Sequence, residues 1–234
     1  MTVDVYLSGP VGGRDREHPT GDPLLRVPRH RILPWVGMLA LLAAIAGCGA
    51  RTAAPPEPGT SRGVPPDLRG RTVMVLPVQQ LLGVPGDTDA ELLFGLRSRD
   101  TEITWIPPEQ LEDALARSPS LAARTRGLPV GQFLAAEVLR IGDPLFGELY
   151  RLSVLVGAQA AVLPVRAELV RNPDETEPRV RLTMALVETR SGIVGWFAIL
   201  EGESYPVDDP RLLASAVDEV SRTLLWYAGR GGSP

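Results

Sequence analysis

The sequence predicts an α/β fold: a single sandwich of one mixed sheet of about five strands, packed with helices. Three observations carry this. Thr72, Val73, Met74, Val75, Leu76 and Pro77 are apolar on both faces, as in a central strand covered on both sides. Val180, Leu182, Met184 and Leu186 alternate with Arg179, Arg181, Thr183 and Ala185, the period of a half-buried strand. Leu213, Val217, Val220, Leu224 and Tyr227 recur at helical spacing near the end of the chain.

The elements follow in order. After the first strand, Gly83, Pro85 and Gly86 make a loop, and Asp87, Thr88 and Asp89 open a helix through Ala90, Leu92, Leu93, Leu96 and Arg97. Carboxylates at that position cap free helix amides and complement the helix dipole. Residues 102–106 form a short strand stopped by Pro107, and Pro108 suits the first turn of a helix carrying Leu111, Ala114 and Leu115. Residues 128–139 and 145–156 both have helical spacing, separated by Gly142, Asp143 and Pro144, which predicts two helices. From Ala160 the period becomes two, giving a strand to Val170. Pro164 lacks a ladder donor and demotes at least one side of that strand to an edge or a bulge. An acidic loop, 172–178, leads into the alternating strand. Thr189, Arg190, Ser191 and Gly192 turn the chain, and residues 193–201 return as the hairpin partner. Asp209 caps the last helix, Pro210 fits its first turn and Gly229 ends it.

Ahead of this domain, Arg26, Arg29, His30 and Arg31 precede an apolar run, 35–46, that ends in Ile45, Ala46, Gly47 and Cys48. At roughly 12 residues the run is too short to span a bilayer, which takes about 20. Basic residues, a short apolar segment and small residues before a cysteine form a bacterial lipoprotein signal, in which Cys48 is diacylated and becomes the first residue of the mature chain. Residues 1–25 extend unusually far upstream of such a signal, so translation is expected to begin near Val27. Residues 50–69 hold Pro55, Pro56, Pro58, Pro65 and Pro66 with Gly59 and Gly63, the composition of an extended tether that buries nothing and reaches at most ~60 Å. The organisation is therefore an N-terminal extension and signal (1–47), a lipidated cysteine and tether (48–69), an α/β domain (70–229) and a flexible tail (230–234).

Composition excludes much. The chain has no Lys, and its 2 histidines, His18 and His30, precede the cleavage point. A mature chain from Cys48 has neither residue as a base, no Cys/His zinc site, no disulfide and no phosphate-binding Gly-x-x-x-x-Gly-Lys loop. Its 19 arginines face 24 carboxylates without a basic cluster, which argues against nucleic acid as a partner. Asp87, Asp89 and Glu91 could hold a divalent cation, but capping of the helix is the simpler reading, and Asp208 and Asp209 read the same way before the last helix. Ser191 is turn chemistry, since Gly-x-Ser-x-Gly is absent. No catalytic residue, metal site or cofactor is expected.

Several of these segments resemble one family. Arg71-Thr72-Val73-Met74-Val75-Leu76-Pro77-Val78, then Val156-Gly157-Ala158-Gln159-Ala160-Ala161-Val162-Leu163-Pro164-Val165, then Leu186 to Trp196 with Glu201, Gly202 and Glu203, look like envelope lipoproteins with the TolB amino-terminal-type fold. These include penicillin-binding-protein activator and curli-assembly lipoproteins. In that group the first strand ends in an apolar-Pro pair, a helix runs through a Gly-Ala turn into a strand, and a hairpin reads acidic-x-Arg-x-Gly-x-apolar-x-Trp. The match spans nearly the whole folded domain, and its motifs are structural. Pro164 and the long helical middle section depart from the pattern. The curli-type channel needs long alternating hairpins that this sequence lacks, which disfavours a pore.

The expectation is a lipid-anchored, non-catalytic envelope protein. It would be held to the membrane through Cys48 and act as an adaptor or assembly factor for an unidentified envelope protein, with homo-oligomerisation also open. Gly49 after the cysteine suggests the periplasmic side of the outer membrane, or the cell surface in a Gram-positive host. Asp174, Glu175 and Glu177, beside an incompletely paired sheet edge, are the candidate partner contact. The alternative is a carboxylate-only hydrolase such as a cell-wall glycosidase, which would require two carboxylates about 5–10 Å apart in a cleft.

Overall fold

The computed structural model describes residues 57, 59–100, 102–173 and 175–226, all within one compact unit, Thr52–Pro234. Ile45, Ala46, Gly47, Cys48, Asp174, Tyr227 and Gly229 lie outside the described residues. The elements are β1 (Ser61–Arg62), β2 (Thr72–Val75), β3 (Leu81–Leu82), α1 (Thr88–Arg99), β4 (Thr104–Ile106), α2 (Pro108–Ala116), α3 (Gln132–Ala135), α4 (Leu145–Val156), β5 (Ala160–Val170), β6 (Arg179–Glu188), β7 (Val194–Glu201) and α5 (Arg211–Leu224).

The sheet is mixed and open, in the order β1-β7-β6-β5-β2-β4, with β3 continuing alongside β5. Its β2, β3, β4 and β5 pairings are parallel, and β5-β6-β7-β1 is antiparallel. It has seven strands rather than about five, because Ser61–Arg62 and Leu81–Leu82 are too short to carry a period of two. Alternate residues feed two cores. On one face Val73, Val162, Leu182 and Trp196 meet Leu92 and Leu96 of α1 and Leu212, Val217 and Val220 of α5. On the other Met74, Leu163, Val187 and Phe197 meet Leu111 of α2, Phe133 of α3 and Leu145, Leu149 and Leu152 of α4. The Phe133 and Phe197 rings stack at 6.0 Å. Asp87 accepts from the Ala90 N–H at 3.0 Å and caps α1. Asp209 accepts from the Arg211 N–H at 2.9 Å at the start of α5.

At Pro164 the structure bears out the bulge and overturns the incompletely paired sheet edge. The strand is no edge: β6 pairs along one side of β5, and β2 and β3 along the other. The missing donor is absorbed by a bulge. Pro164 stands opposite Met184, Arg166 opposite Thr183, and the register slips between them at Val165. The slip is visible in the cores, since Ala160 and Val162 face α1 and α5, Leu163 and Val165 face the other layer, and Ala167 returns to the first. The Pro164 carbonyl still accepts from the Gln79 N–H at 3.0 Å.

Residues 128–139 correct another expectation, because only Gln132–Ala135 is helical. The flanking amides have other partners. The Leu128 N–H donates to the Gln79 side chain at 2.9 Å, and the Leu139 carbonyl accepts from the Val194 N–H at 2.9 Å. Residues 139–141 thus run beside the start of β7, with Arg140 bridged to Ile193.

The segment expected to bury nothing is also docked, in part. Gly59 donates to the Ile199 carbonyl at 2.8 Å, β1 pairs with β7, and Leu68 is fully buried. The Trp196 indole N–H donates to Ser61 Oγ at 3.1 Å, and that of Trp226 to the Pro65 carbonyl at 3.0 Å.

Candidate binding surface

The sheet has two ends. β5 and β7 run from the β6–β7 hairpin turn toward the other end, where the acidic loop lies and where the described chain begins beside Ile199.

At the acidic end, polar side chains are committed to one another. Arg181 sits between Glu168 and Glu201 at 3.3 and 2.7 Å, and Arg166 donates to the Gln80 side chain at 2.8 Å. Glu175 accepts from Arg179 Nε at 2.6 Å and from Ser204 Oγ at 2.8 Å, which joins the loop to the segment after β7. The Arg179 guanidinium, followed by the Ser204 hydroxyl, holds the Glu175 carboxyl below the usual carboxylate range. Glu177 is half-buried. Of the three carboxylates singled out from sequence, one is therefore tied into the fold and one lies outside the described residues.

A pH dependence follows. A carboxyl with a lowered folded-state pKa stabilises the fold above its ordinary value, near 4.3, and that contribution is lost as pH falls through the lowered value. Glu175→Gln should therefore flatten the acid limb of the unfolding-midpoint profile below about pH 5. An unchanged acid limb would show that the pair is solvent-screened and adds nothing.

Asp87, Asp89 and Glu91 do not converge. Asp87 is the cap, and Asp89 accepts from the Val78 N–H at 2.7 Å and from Arg126 at 3.1 Å. Among the described residues no group of three or more His, Cys, Asp or Glu is placed to hold a metal ion. The Ser191 hydroxyl donates to the Glu188 carboxylate and accepts from the Ile193 N–H, holding the hairpin turn, where Gly192 has φ 70°. A concavity of about 550 Å³ between the starts of α1 and α5 gathers Asp87, Glu91, Asp208 and Asp209 around Phe94, Val207 and Leu213. Asp209 is bound by Arg211, which holds its carboxyl below the usual range, opposite to what a general acid requires.

The hairpin end differs. Thr189 Oγ1 donates to the Ala158 carbonyl at 3.1 Å, fixing the turn to the C-terminus of α4, where Gly157 is left-handed. Leu139 is 72% exposed, Val154 65%, Tyr150 46% and Ile193 42%, and Phe146 lies 6.0 Å from Tyr150, ring to ring. A Cβ built on Gly192 would stand 2.9 Å from the Phe146 ring, so turn and helix are in contact there. Tyr150 and Val154 share a concavity of about 500 Å³ with Arg190, and Ile193 shares one of about 270 Å³ with Val64 and Arg71. The reading from sequence passed over these residues. The available signal was α4 itself, which carries only Glu148 and Arg151 as charges and has no polar face, a pattern suited to a helix covered on all sides.

No family model and no curated protein matches the sequence. Among solved structures the chain is similar to a PelC dodecamer from Paraburkholderia phytofirmans, at 16% identity over 70% of this chain and 94% of that one, with TM-score 0.41. It is similar to the LpoB C-terminal domain from Escherichia coli, at 16% identity over 59% and 86%, with TM-score 0.37. It is also similar to lipoprotein GNA1162 from Neisseria meningitidis, at 14% identity over 66% and 98%, with TM-score 0.41. The fold resembles these proteins at low sequence identity, a lipoprotein among them.

Proposed function

We propose that this chain is a lipid-anchored, non-catalytic envelope protein that works by binding another envelope protein, as an adaptor or assembly factor. The observation that carries the binding role is the group of large apolar side chains left in water at the hairpin end, Leu139, Tyr150, Val154 and Ile193, on a domain whose acidic end pairs its charges internally. The anchor rests on Arg26, Arg29 and Arg31, the short apolar run and Ile45-Ala46-Gly47-Cys48. Among the described residues no helix is long and apolar enough to cross a membrane, so acyl chains on Cys48 would supply the attachment. Gly49 favours an outer membrane, with the domain facing the periplasm.

The test is metabolic labelling of the native host with an alkyne fatty acid, followed by fractionation. The expected result is a labelled protein in the membrane fraction that resists a high-salt, high-pH wash. Recovery of unlabelled protein in the soluble fraction would overturn the anchor. Release of sugar from purified cell wall by the protein would overturn the non-catalytic reading in favour of the carboxylate hydrolase.

A further inference from the structure

The apolar groups at the hairpin end form one continuous face. Val64 and Ile193 line one concavity, Leu139 and Arg140 run beside Ile193, Gly192 touches Phe146, Phe146 meets Tyr150, and Tyr150 shares the next concavity with Val154 and Arg190. Among the described residues, five of the ten large hydrophobics left most exposed are on this face: Val64, Leu139, Tyr150, Val154 and Ile193. Few soluble surfaces keep such a patch without a partner.

Charge says what kind of partner. Of the carboxylates near the face, Glu137 is paired with Arg62 and Glu148 with Arg151, while Glu188 and Asp143 accept only a neutral hydroxyl and a backbone N–H and keep their charge. Arg140 and Arg190 are exposed and make no ion pair among the described residues, and with Arg71, whose charge is felt by Asp67, they leave the face net positive. An apolar centre with an unpaired guanidinium rim complements a surface of the opposite charge.

Position says where that partner stands. The described chain starts beside Ile199, near the far end of β7, and the face lies at the Val194 end. A strand of this length spans roughly 26 Å. A lipid on Cys48 would therefore attach the domain nearer its acidic end, about one strand length from the face.

We propose that this face is the docking site for a protein segment that presents carboxylates around a large apolar side chain. The site lies about one strand length from where the described chain enters the sheet beside Ile199. This deepens the binding role proposed above and is independent of whether Cys48 is acylated.

The experiment is site-specific photo-crosslinking of the full chain in its native host, with p-benzoylphenylalanine at Val154 and, as a control on the opposite helical layer, at Phe94. Adducts are mapped by mass spectrometry. The expected result is an adduct from Val154, absent from Phe94, to a different envelope protein, at a segment holding Asp or Glu beside an apolar residue. Arg140→Glu with Arg190→Glu should cut its yield about tenfold or more, while the thermal midpoint of the purified chain stays put. An adduct to a second copy of this chain, lipid in place of protein, equal yield from Phe94, or indifference to the charge reversal would each overturn the proposal. Fatty-acid labelling of the same cells reports the anchor separately, so the two readings fail independently.

Discussion

Cys48→Ala is expected to abolish stable membrane retention of the processed chain. Each buried methylene adds about 0.8 kcal/mol to bilayer affinity, a single acyl chain binds only marginally, and two or three bind stably. Attachment therefore rises and falls with the cysteine that carries them. No described helix offers a second mode of attachment, and the mature chain has no run of arginines to hold an anionic headgroup layer. Two outcomes fit: a larger, unprocessed precursor that keeps the signal segment ahead of position 48, or a soluble chain that washes out. Neither should take up the alkyne fatty acid. A variant of mature size that stays in the membrane fraction would show that something other than Cys48 holds it there.

The parts of the fold legible in the sequence are those in which one residue's neighbours in the chain decide its state. α5 is read from Leu213, Val217, Val220 and Leu224, which bury one regular face on a single layer; β6 is read as a strand from its alternation but not as half-buried, since Thr183, Ala185 and Val187 on its second face are buried too, the last two in the other core. The rest depends on distant groups. Pro164 announces a missing donor, but whether it marks an edge or a bulge depends on Gln79 and Met184, which lie across the sheet. Residues 128–139 have helical spacing, yet Gln79 and Val194 claim amides and carbonyls that a helix would have used. The Pro-rich stretch before Arg69 looks structureless because Ser61 and Leu68 are isolated. They gain their places only once Trp196 and β7 exist. The binding surface was hidden for a different reason. An exposed apolar side chain and a buried one are the same letter, and only the fold shows that Val154 faces water while Leu152, two residues earlier, does not.

Trp196→Ala should be among the most damaging single substitutions in the domain. Trp196 is 1% exposed, within the core that α1 and α5 close over, and replacing a buried aromatic by Ala costs about 3–5 kcal/mol, a large part of the 5–15 kcal/mol typical of a whole domain. At a typical urea slope the midpoint should fall by more than about 1 M. The loss is also specific in place. The indole N–H holds Ser61, and the next turn depends on Gly63, which has φ 76° and would bring a Cβ to 2.3 Å from the Gly195 carbonyl oxygen. Without the indole, residues 57–69 keep their backbone pairing with β7, the Arg62–Glu137 pair and the Trp226–Pro65 hydrogen bond but lose the side chain that β1 packs on, so Arg62 should become cleavable by trypsin under conditions that leave the rest intact. Ser61→Ala isolates the hydrogen bond and should cost about 1 kcal/mol, while Trp196→Phe keeps most of the packing and should fall between the two. A midpoint for Trp196→Ala within about 1 kcal/mol of wild type, with Arg62 still protected, would mean that β1 is held by its backbone pairing and that the indole merely fills space.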